Sequence, residues 1–333
     1  MGMQGFQSQP AAVAAIVPCF NESGSIAKVV NDLRESLGDA VIYVYDNAST
    51  DDTAAVAARA GATVRTELRK GKGNVVRRAF ADVEADIYLL IDGDDTYDAS
   101  RAAEMVDLLL SGPYDHVLGV RAENSPSAYR RGHANGNRLL NRITGTIFGE
   151  PVSDMLSGYR AFSRRFVKSF PAQSREFEIE TELTVHAMSL RIPQCELPVG
   201  FKERGQGSES KLRTWRDGFR ILGTIVALAH YVRPAAVYGV YALFAAFASL
   251  TLGIPVVMEY FATGLVLRFP TAILSAALAS IAVIMLVVGL LQAAVKRSRD
   301  ENARLWYLSL PAPQKEMQSR SEQISKNTQV PQA

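Results

Sequence analysis

The chain has few of the residues that build disulfide or metal-ligand frameworks. Its 333 residues include two cysteines, Cys19 and Cys195, whose spacing matches neither a zinc motif nor a set of disulfides. Two unpaired cysteines fit a reduced compartment such as the cytosol. The four histidines are scattered along the chain, so the sequence predicts no histidine-based metal centre.

An excess of charge of one sign is also missing, because 36 Lys and Arg residues are balanced by 34 Asp and Glu residues. A chain without a basic excess gives no reason to expect nucleic acid as a partner. No GxGxxG follows the first predicted strand, and Gly71-Lys72-Gly73 lacks the Ser or Thr and the spacing of a P-loop. Classical dinucleotide-binding and P-loop domains are therefore excluded from the prediction.

Short apolar runs alternate with helical patterns over residues 11 to about 125. We predict strands at 14–18, 42–45, 63–65, 87–91 and 117–119, and helices near 25–37, 51–60, 72–84 and 99–110. Such alternation is typical of an α/β domain with a parallel sheet and helices on both faces. Further helices near 131–148 and 178–190, with strands near 158–163 and 194–199, complete a domain predicted to span 11–210 after a flexible N-terminus at 1–10.

The strongest chemical signal lies in Ile87–Asp98, where an apolar run meets four aspartates within seven residues. Ligands of open α/β sheets bind beyond the carboxyl ends of strands, so Asp92 and Asp94, on either side of Gly93, should face a crevice. A cation would relieve their repulsion, and Mg²⁺ or Mn²⁺ suits oxygen ligands shared with a substrate phosphate. The alternative is a solvated turn that caps the next helix.

Polar residues follow the first two predicted strands as well. Asp46 and Asn47 end the second strand, where they would contact the ribose or base of a nucleotide, although capping of the next helix explains them too. Pro18, Asn21 and Glu22 follow the first strand and face the same crevice. These five residues, together with Lys72, Asp92 and Gly93, are predicted to bind a nucleotide sugar.

Three further segments carry charges suited to anions. Lys72 opens the third helix, whose backbone amides would also attract phosphate, although surface turns of this composition are common. Asp154 and Arg160 flank a tight turn, and an ion pair between them is the structural alternative to a catalytic role. Arg204 and Lys211 bracket a Gly- and Ser-rich loop that would close over phosphates.

Two stretches, Pro234–Met258 and Phe269–Val295, contain no charged residue and no histidine. Each exceeds the roughly 20 apolar residues that span a bilayer, so we predict a transmembrane hairpin at about 235–258 and 270–295. Basic residues outside both ends, against Arg268 alone in the connection, place the catalytic domain and both termini in the cytoplasm. Residues 211–233 form a predicted amphipathic helix at the membrane surface, and 296–333 a largely disordered tail.

Seven motifs occur in a specific order: Val17–Glu22, Asp46–Thr53, Gly71–Asn74, Asp92–Asp94, Ser157–Phe162, Phe177–Glu180 and Arg204–Lys211. Over residues 12 to about 233 the chain resembles family 2 glycosyltransferases of the GT-A fold, in particular the polyprenyl-phosphate glycosyltransferases related to dolichyl-phosphate mannose synthase. It departs from them at Asn47, where many relatives carry aspartate, and at Asp95 and Thr96. The resemblance implies an α/β domain of the GT-A fold, whose sheet is mixed and mainly parallel.

The resemblance implies inverting transfer of one sugar from a nucleotide-diphosphate sugar to a polyprenyl phosphate, such as undecaprenyl phosphate. The donor would be UDP-linked, with GDP as the alternative, and the lipid product would serve glycan or lipopolysaccharide modification in the cell envelope. The bacterial inner membrane would be its location, and a homo-oligomer is compatible with the family. Neither nucleic acid nor any cofactor besides the divalent metal is implied.

The resemblance also assigns roles to residues. It implies catalytic roles for Asp94, Asp154 and Arg204, and metal binding by Asp92 and Asp94. Lipid phosphate would be bound by four basic residues, Arg121, Arg131, Arg204 and Lys211.

Other functions are compatible with parts of the pattern. A processive polysaccharide synthase of the same superfamily would need more membrane helices and a Gln-x-x-Arg-Trp motif, and this sequence has neither. A catalytically inactive membrane scaffold and a transferase for soluble acceptors are the remaining alternatives. Metal-dependent turnover of a nucleotide sugar with a lipid phosphate would distinguish the predicted enzyme from both.

Overall fold

The computed structural model describes residues 11–122, 153–172, 179–202 and 229–313. Their centre is a seven-stranded sheet in the order β3-β2-β1-β4-β6-β5-β7. All seven predicted strands are confirmed, and they run over β1 Val13–Cys19, β2 Val41–Asp46, β3 Thr63–Thr66, β4 Ile87–Leu90, β5 His116–Ala122, β6 Arg160–Ser163 and β7 Gln194–Gly200.

The sheet is mixed and mainly parallel, as predicted. Strand β1 pairs in parallel with β2 and β4, and β5 pairs in parallel with β7. Strand β6 is antiparallel to both β4 and β5, with Ile87 opposite Ser163 and His116 opposite Phe162. Consequently β4 and β5 point the same way, and the carboxyl ends of β1, β2 and β4 lie along one edge of the sheet.

Six helices of the described part pack with the sheet. They are α1 Ile26–Leu37, α2 Thr53–Arg59, α3 Lys72–Asp82, α4 Ala102–Ser111 with a 3₁₀ turn Ala99–Arg101 before it, α5 Arg164–Ser169 and α6 Ile179–Ser189. The short helix α5 was not predicted. Its N-terminus is capped by Ser163, whose hydroxyl accepts from the Phe166 amide at 3.3 Å. The helix predicted near 131–148 lies outside the described residues.

Two hydrophobic clusters hold these layers together. Ala15 and Val17 of β1 belong to the cluster that contains buried residues of α1 and α4, whereas Ala14 and Ile16 belong to the cluster with residues of α3 and α6. This division follows from the two-residue period of a strand, which sends alternate side chains to opposite faces. The sheet therefore carries helices on both faces.

The chain divides into two compact units, residues 1–211 with 303–333, and residues 212–302. The second unit contains most of two long helices, α7 Pro234–Thr263 and α8 Phe269–Ser309. Both are long and apolar enough to cross a membrane. Within this unit Ser249 and Ser275 exchange hydrogen bonds, each hydroxyl donating to the other's carbonyl at 2.8 and 2.9 Å.

Helix α8 extends beyond the predicted membrane segment, because it continues to Ser309. The tail predicted to be largely disordered therefore begins with a helical stretch, 296–309, while residues 314–333 lie outside the described part of the chain. Ion pairs one helical turn apart, Lys296 with Asp300 and Arg297 with Glu301, support the helix in this polar stretch. Its last turn then buries Tyr307, which is 4% exposed. Most of the predicted surface helix, residues 211–228, lies outside the described part of the chain.

Candidate functional site

Carboxylates gather at the ends of β1, β2 and β4, around the buried thiol of Cys19. Burial raises the pKa of Cys19 well above its ordinary value, and the negative charges of Glu22, Asp92, Asp46 and Asp94 raise it further. Charges act on the thiol in this way only over short distances, because solvent screens remote ones. The structure thus brings together the four acidic residues that the sequence predicted to share one crevice.

Lys72 lies between two carboxylates at the start of α3. Its Nζ pairs with Asp92 Oδ1 and lies 2.6 Å from Glu180 Oε1, and its side chain is 8% exposed. Burial acts to lower the pKa of Lys72, but the two carboxylates outweigh burial and raise it. Lys72 is therefore a buried, permanently charged ammonium group, and not the exposed turn lysine that the sequence left as an alternative.

Glu180, in the first turn of α6, was not among the predicted site residues. Its side chain is 6% exposed, and burial raises its pKa even though Lys72 opposes this. Its Oε2 atom is buried and has no hydrogen-bond partner among the described residues. The Phe177–Glu180 motif marked this position without assigning it a role. Only the packing of α6 beside α3 shows that Glu180 reaches the site.

Two glycines permit the close approach of the chain to this ion-pair cluster. A Cβ on Gly158 would lie 2.4 Å from Asp92 Oδ2 and 2.8 Å from Lys72 Nζ. A Cβ on Gly93 would lie 2.4 Å from Cys19 Sγ. The Gly158 amide donates to the Tyr97 hydroxyl at 2.9 Å, which fixes this segment in place. The structure shows Gly93 packed against Cys19, and its contact with the nucleotide stays a prediction.

In the turn after Asp92, the neighbouring residues Asp94 and Asp95 have different partners. Asp94 is buried, and its Oδ1 accepts from the Thr96 amide at 3.2 Å and from the Thr96 hydroxyl at 2.6 Å. Asp95 has a φ of 56° and pairs with Lys28 at 3.2 Å and Lys202 at 2.8 Å. The departure from the family pattern at these positions is thereby explained, because Thr96 orients Asp94 and Asp95 is held by two lysines.

The donor set suits a metal ion that is shared with a ligand. No three His, Cys, Asp or Glu side chains in the described ranges converge on one point as a complete metal site. Mg²⁺ is commonly held by one or two carboxylates, with substrate phosphates and water completing its shell. Asp92 and Asp94 provide such a partial set.

Asp46 and Asn47 have different surroundings although they are adjacent. Asp46 is 6% exposed; its Oδ2 accepts from the Ser49 amide at 3.3 Å, while its buried Oδ1 has no hydrogen-bond partner among the described residues. Asn47 is used internally: its Nδ2 donates to the carbonyls of Glu67 and Arg69 at 2.9 and 2.8 Å, and its Oδ1 accepts from the Gly71 amide at 2.7 Å. Asn47 therefore shapes the loop that leads into α3.

The loop after β1 is joined to the start of α2. The Asn21 amide donates to Ser49 Oγ at 2.9 Å, and Asn21 Oδ1 accepts from the Thr50 amide at 2.8 Å. The Glu22 amide donates to Thr53 Oγ1 at 2.8 Å. Asn21 adopts a φ of 57°, which asparagine tolerates better than most residues. These bonds fix the loop that follows Pro18 of β1.

Asp154 and Arg121 form a bidentate ion pair. Arg121 donates from Nε and Nη2 to the two oxygens of Asp154, both at 2.6 Å, and the Asp154 side chain is 4% exposed. The structural alternative, an ion pair between Asp154 and Arg160, is therefore wrong. Arg160 is fully buried and donates instead to the carbonyls of Ser157 and Met155 and to Thr184 Oγ1, at 2.8, 2.6 and 2.9 Å.

Three predicted phosphate-binding residues, Arg131, Arg204 and Lys211, lie outside the described residues, as does the loop at 205–210. The predicted acceptor site therefore remains a prediction, apart from the finding that Arg121 is paired with Asp154.

Comparison with known proteins agrees with this arrangement. The sequence model described as Glycosyl transferase family 2 matches residues 14–170. Glycosyltransferase AglJ of Haloferax volcanii is 41% identical over 211 residues, which cover 63% of this chain and 69% of AglJ. Protein RfbJ of Shigella flexneri is 57% identical over 122 residues, which cover 36% of this chain and 95% of RfbJ.

This chain belongs to glycosyltransferase family 2. The family 2 glycosyltransferase is also 27% identical to the dolichyl-phosphate hexose transferase of Haloferax volcanii over 215 residues, 64% of this chain and 92% of the relative. Among solved structures it matches the glucosyl-3-phosphoglycerate synthase of Mycobacterium tuberculosis, crystallised with Mn²⁺, UDP and glucosyl-3-phosphoglycerate, with a TM-score of 0.54. The match has 21% identity and covers 66% of this chain and 79% of the synthase, which supports the GT-A fold.

Proposed function

We propose that this glycosyltransferase moves one sugar from a UDP-sugar to a polyprenyl phosphate, with inversion at the anomeric carbon, on the cytoplasmic face of a bacterial inner membrane. The observation that carries the proposal is the combination, in one chain, of the carboxylates gathered around Cys19 and two helices apolar enough to span a bilayer. A transferase with a membrane hairpin is suited to an acceptor that does not leave the membrane. The dolichyl-phosphate hexose transferase among its relatives supports the same acceptor class.

The nucleotide is proposed to bind beside Asp46. Its Oδ1 atom is buried without a partner among the described residues, which is costly unless a ligand donates a hydrogen bond. The imide N–H of uracil or the ribose hydroxyls would supply such a donor. The UDP held by the mycobacterial synthase of the same fold supports a uridine nucleotide.

The diphosphate is proposed to lie between Asp92, Asp94 and the start of α3. A divalent ion held by Asp92 and Asp94 would supply charge stabilisation for the departing diphosphate. Thr96 keeps the Asp94 carboxylate oriented, and Lys72 with Glu180 keeps Asp92 in place. The Mn²⁺ in the mycobacterial structure supports a divalent metal as the cofactor.

The acceptor needs positioning more than deprotonation. A phosphate monoester is largely dianionic near neutral pH, since its second pKa is about 6. We therefore propose that Asp154 acts through Arg121, by fixing the guanidinium group with two hydrogen bonds, and not as a general base. Arg131, Arg204 and Lys211 are proposed to neutralise the lipid phosphate. Attack of its oxygen on the anomeric carbon from the face opposite the leaving diphosphate inverts the configuration.

The test is a transfer assay with purified full-length protein, undecaprenyl phosphate, Mg²⁺ or Mn²⁺, and a panel of labelled nucleotide sugars. We expect one donor to give a glycolipid that is lost in Asp94→Ala. The matched control is Asp39→Ala, which removes an exposed carboxylate outside the site and should retain activity. Equal transfer to free sugars would contradict the lipid acceptor, and a folded protein without any turnover would favour the scaffold.

A further inference from the structure

The last turn of α8 returns to the catalytic unit and is buried there. Tyr307 is 4% exposed and belongs to the hydrophobic cluster that contains residues of α3 and α6, and Ala303 packs against the same cluster. Its neighbours on the helix, Leu305 and Trp306, are 65% and 64% exposed. One face of this turn therefore packs against the catalytic unit, while the side chains of Leu305 and Trp306 are exposed.

Polar contacts make the docking specific. The Tyr307 hydroxyl donates to Asp115 Oδ2 at 2.7 Å, and Arg165 Nε donates to Asp115 Oδ1 at 2.5 Å. The Arg165 guanidinium lies 4.5 Å from the centroid of the Tyr307 ring. From the helix itself, Arg304 donates to the Leu190 carbonyl at 2.9 Å. We name these contacts of Ala303, Arg304 and Tyr307 the C-terminal latch.

Asp115 is a costly residue to bury, and the latch completes its partners. Its side chain is 0% exposed, and it also accepts from the Ser163 hydroxyl at 2.6 Å. A buried carboxylate is stable only when paired and hydrogen-bonded. Two of its partners, Ser163 and Arg165, come from the sheet and α5, and Tyr307 comes from beyond the apolar helices.

The C-terminal latch lies away from the nucleotide crevice. Asp115 precedes β5 and contacts Ser163, which is opposite Ile87 at the first residue of β4. The crevice lies beyond the other end of β4, at Asp92. A substitution in the latch therefore leaves the carboxylates that surround Cys19 untouched.

We propose that the C-terminal latch positions the catalytic unit for a membrane-embedded acceptor, and that Tyr307 is its central positioning residue. The chain leaves the catalytic unit after Lys211 and rejoins it at Ala303, so the latch gives this unit a second attachment to the membrane-spanning unit. A unit attached at both ends samples fewer orientations than one attached by a single linker, which raises the effective concentration of the site near the acceptor phosphate. The inference rests on the proposed function, because it requires a lipid acceptor.

The test compares two acceptors in the full-length protein. We expect Tyr307→Ala to lower kcat/KM about tenfold or more for undecaprenyl phosphate in nanodiscs, and to change it less than about twofold for a water-soluble short-chain prenyl phosphate in detergent. Tyr307→Phe keeps the ring over Arg165 and should recover most of the loss. Trp306→Ala removes an exposed aromatic ring from the same turn and should leave kcat/KM unchanged with both acceptors.

Equal losses with both acceptors would show a merely structural role and overturn the proposal, as would an equal loss in Trp306→Ala.

A second measurement does not depend on the donor sugar. Spin labels at Glu35→Cys and Ser298→Cys, both exposed positions, report the distance between the two units in a Cys195→Ser background in nanodiscs. The distance distribution should broaden in Tyr307→Ala; an unchanged width overturns the latch. If no donor is turned over, the proposed function fails while this measurement still decides the latch.

Discussion

Replacement of Lys72 by methionine tests the geometry of the site most directly. Lys72 is the shared partner of Asp92 and Glu180, and Glu180 is almost completely buried. Removing one partner of a buried ion pair costs about 3–5 kcal/mol, because a charge remains in a medium that solvates it poorly. At about 2–4 °C per kcal/mol for a domain of this size, the Tm should fall by about 6–20 °C.

The matched control is Lys28→Met. Lys28 also pairs with two carboxylates, Asp32 and Asp95, but its side chain is 54% exposed. Exposed pairs contribute about 0–1 kcal/mol, so this variant should melt within about 4 °C of the unchanged protein. The double variant Lys72→Met with Glu180→Gln should recover part of the loss, since the orphaned buried charge is gone.

Thermal unfolding of the detergent-purified chain, followed by intrinsic fluorescence, measures all of these variants. If Lys72→Met and Lys28→Met have the same Tm, Lys72 does not form a buried pair with Asp92 and Glu180 in the folded protein. If the double variant is no more stable than Lys72→Met, the loss does not arise from the unpaired Glu180 carboxylate.

Two further predictions concern nucleotide affinity and acid stability. Asp46→Asn should raise the Kd of UDP with Mg²⁺ about tenfold or more in calorimetry, because a hydrogen bond to a charged acceptor contributes about 1.5–3 kcal/mol; unchanged affinity would remove Asp46 from the nucleotide site. Burial lowers the pKa of His186 from 6.5 to about 4, so the unfolded chain takes up a proton at a higher pH than the folded chain does. The free energy of unfolding should therefore decrease by about 2 kcal/mol between pH 7 and pH 5 because of His186. The Tm should fall over this range and fall less in His186→Gln; equal slopes would contradict a neutral, buried His186.

The fold was predictable because its signals are local. Apolar runs such as Ile87–Leu90 need only a strand-length pattern to be recognised, and each predicted strand was found. The antiparallel direction of β6 was not readable, because strand polarity depends on the path of the intervening chain. The end of α8 was missed for a similar reason: the predicted helix stopped at residue 295, where the apolar run ends, and the apolar partners of Tyr307 come from distant parts of the sequence.

The site was predictable in part. Asp92, Asp94, Asp46 and Glu22 were expected to converge because parallel strands end at a common edge, and the raised pKa of the Cys19 thiol agrees with their convergence. The partners of charged residues were not predictable to the same degree. Sequence proximity suggested that Asp154 pairs with Arg160, whereas its partner is Arg121 on β5.

The sequence by itself determined the class of the protein: periodicity defined the alternating strands and helices, motif order identified a glycosyltransferase of family 2, and uncharged length defined the two apolar helices. Tertiary structure alone decided which groups pair with the buried charges. Lys72 with Glu180, Arg121 with Asp154, and Tyr307 with Asp115 are separated by 108, 33 and 192 positions in the chain. A buried charge is stabilised by whatever packs against it in space, and no local pattern along the chain encodes that neighbour.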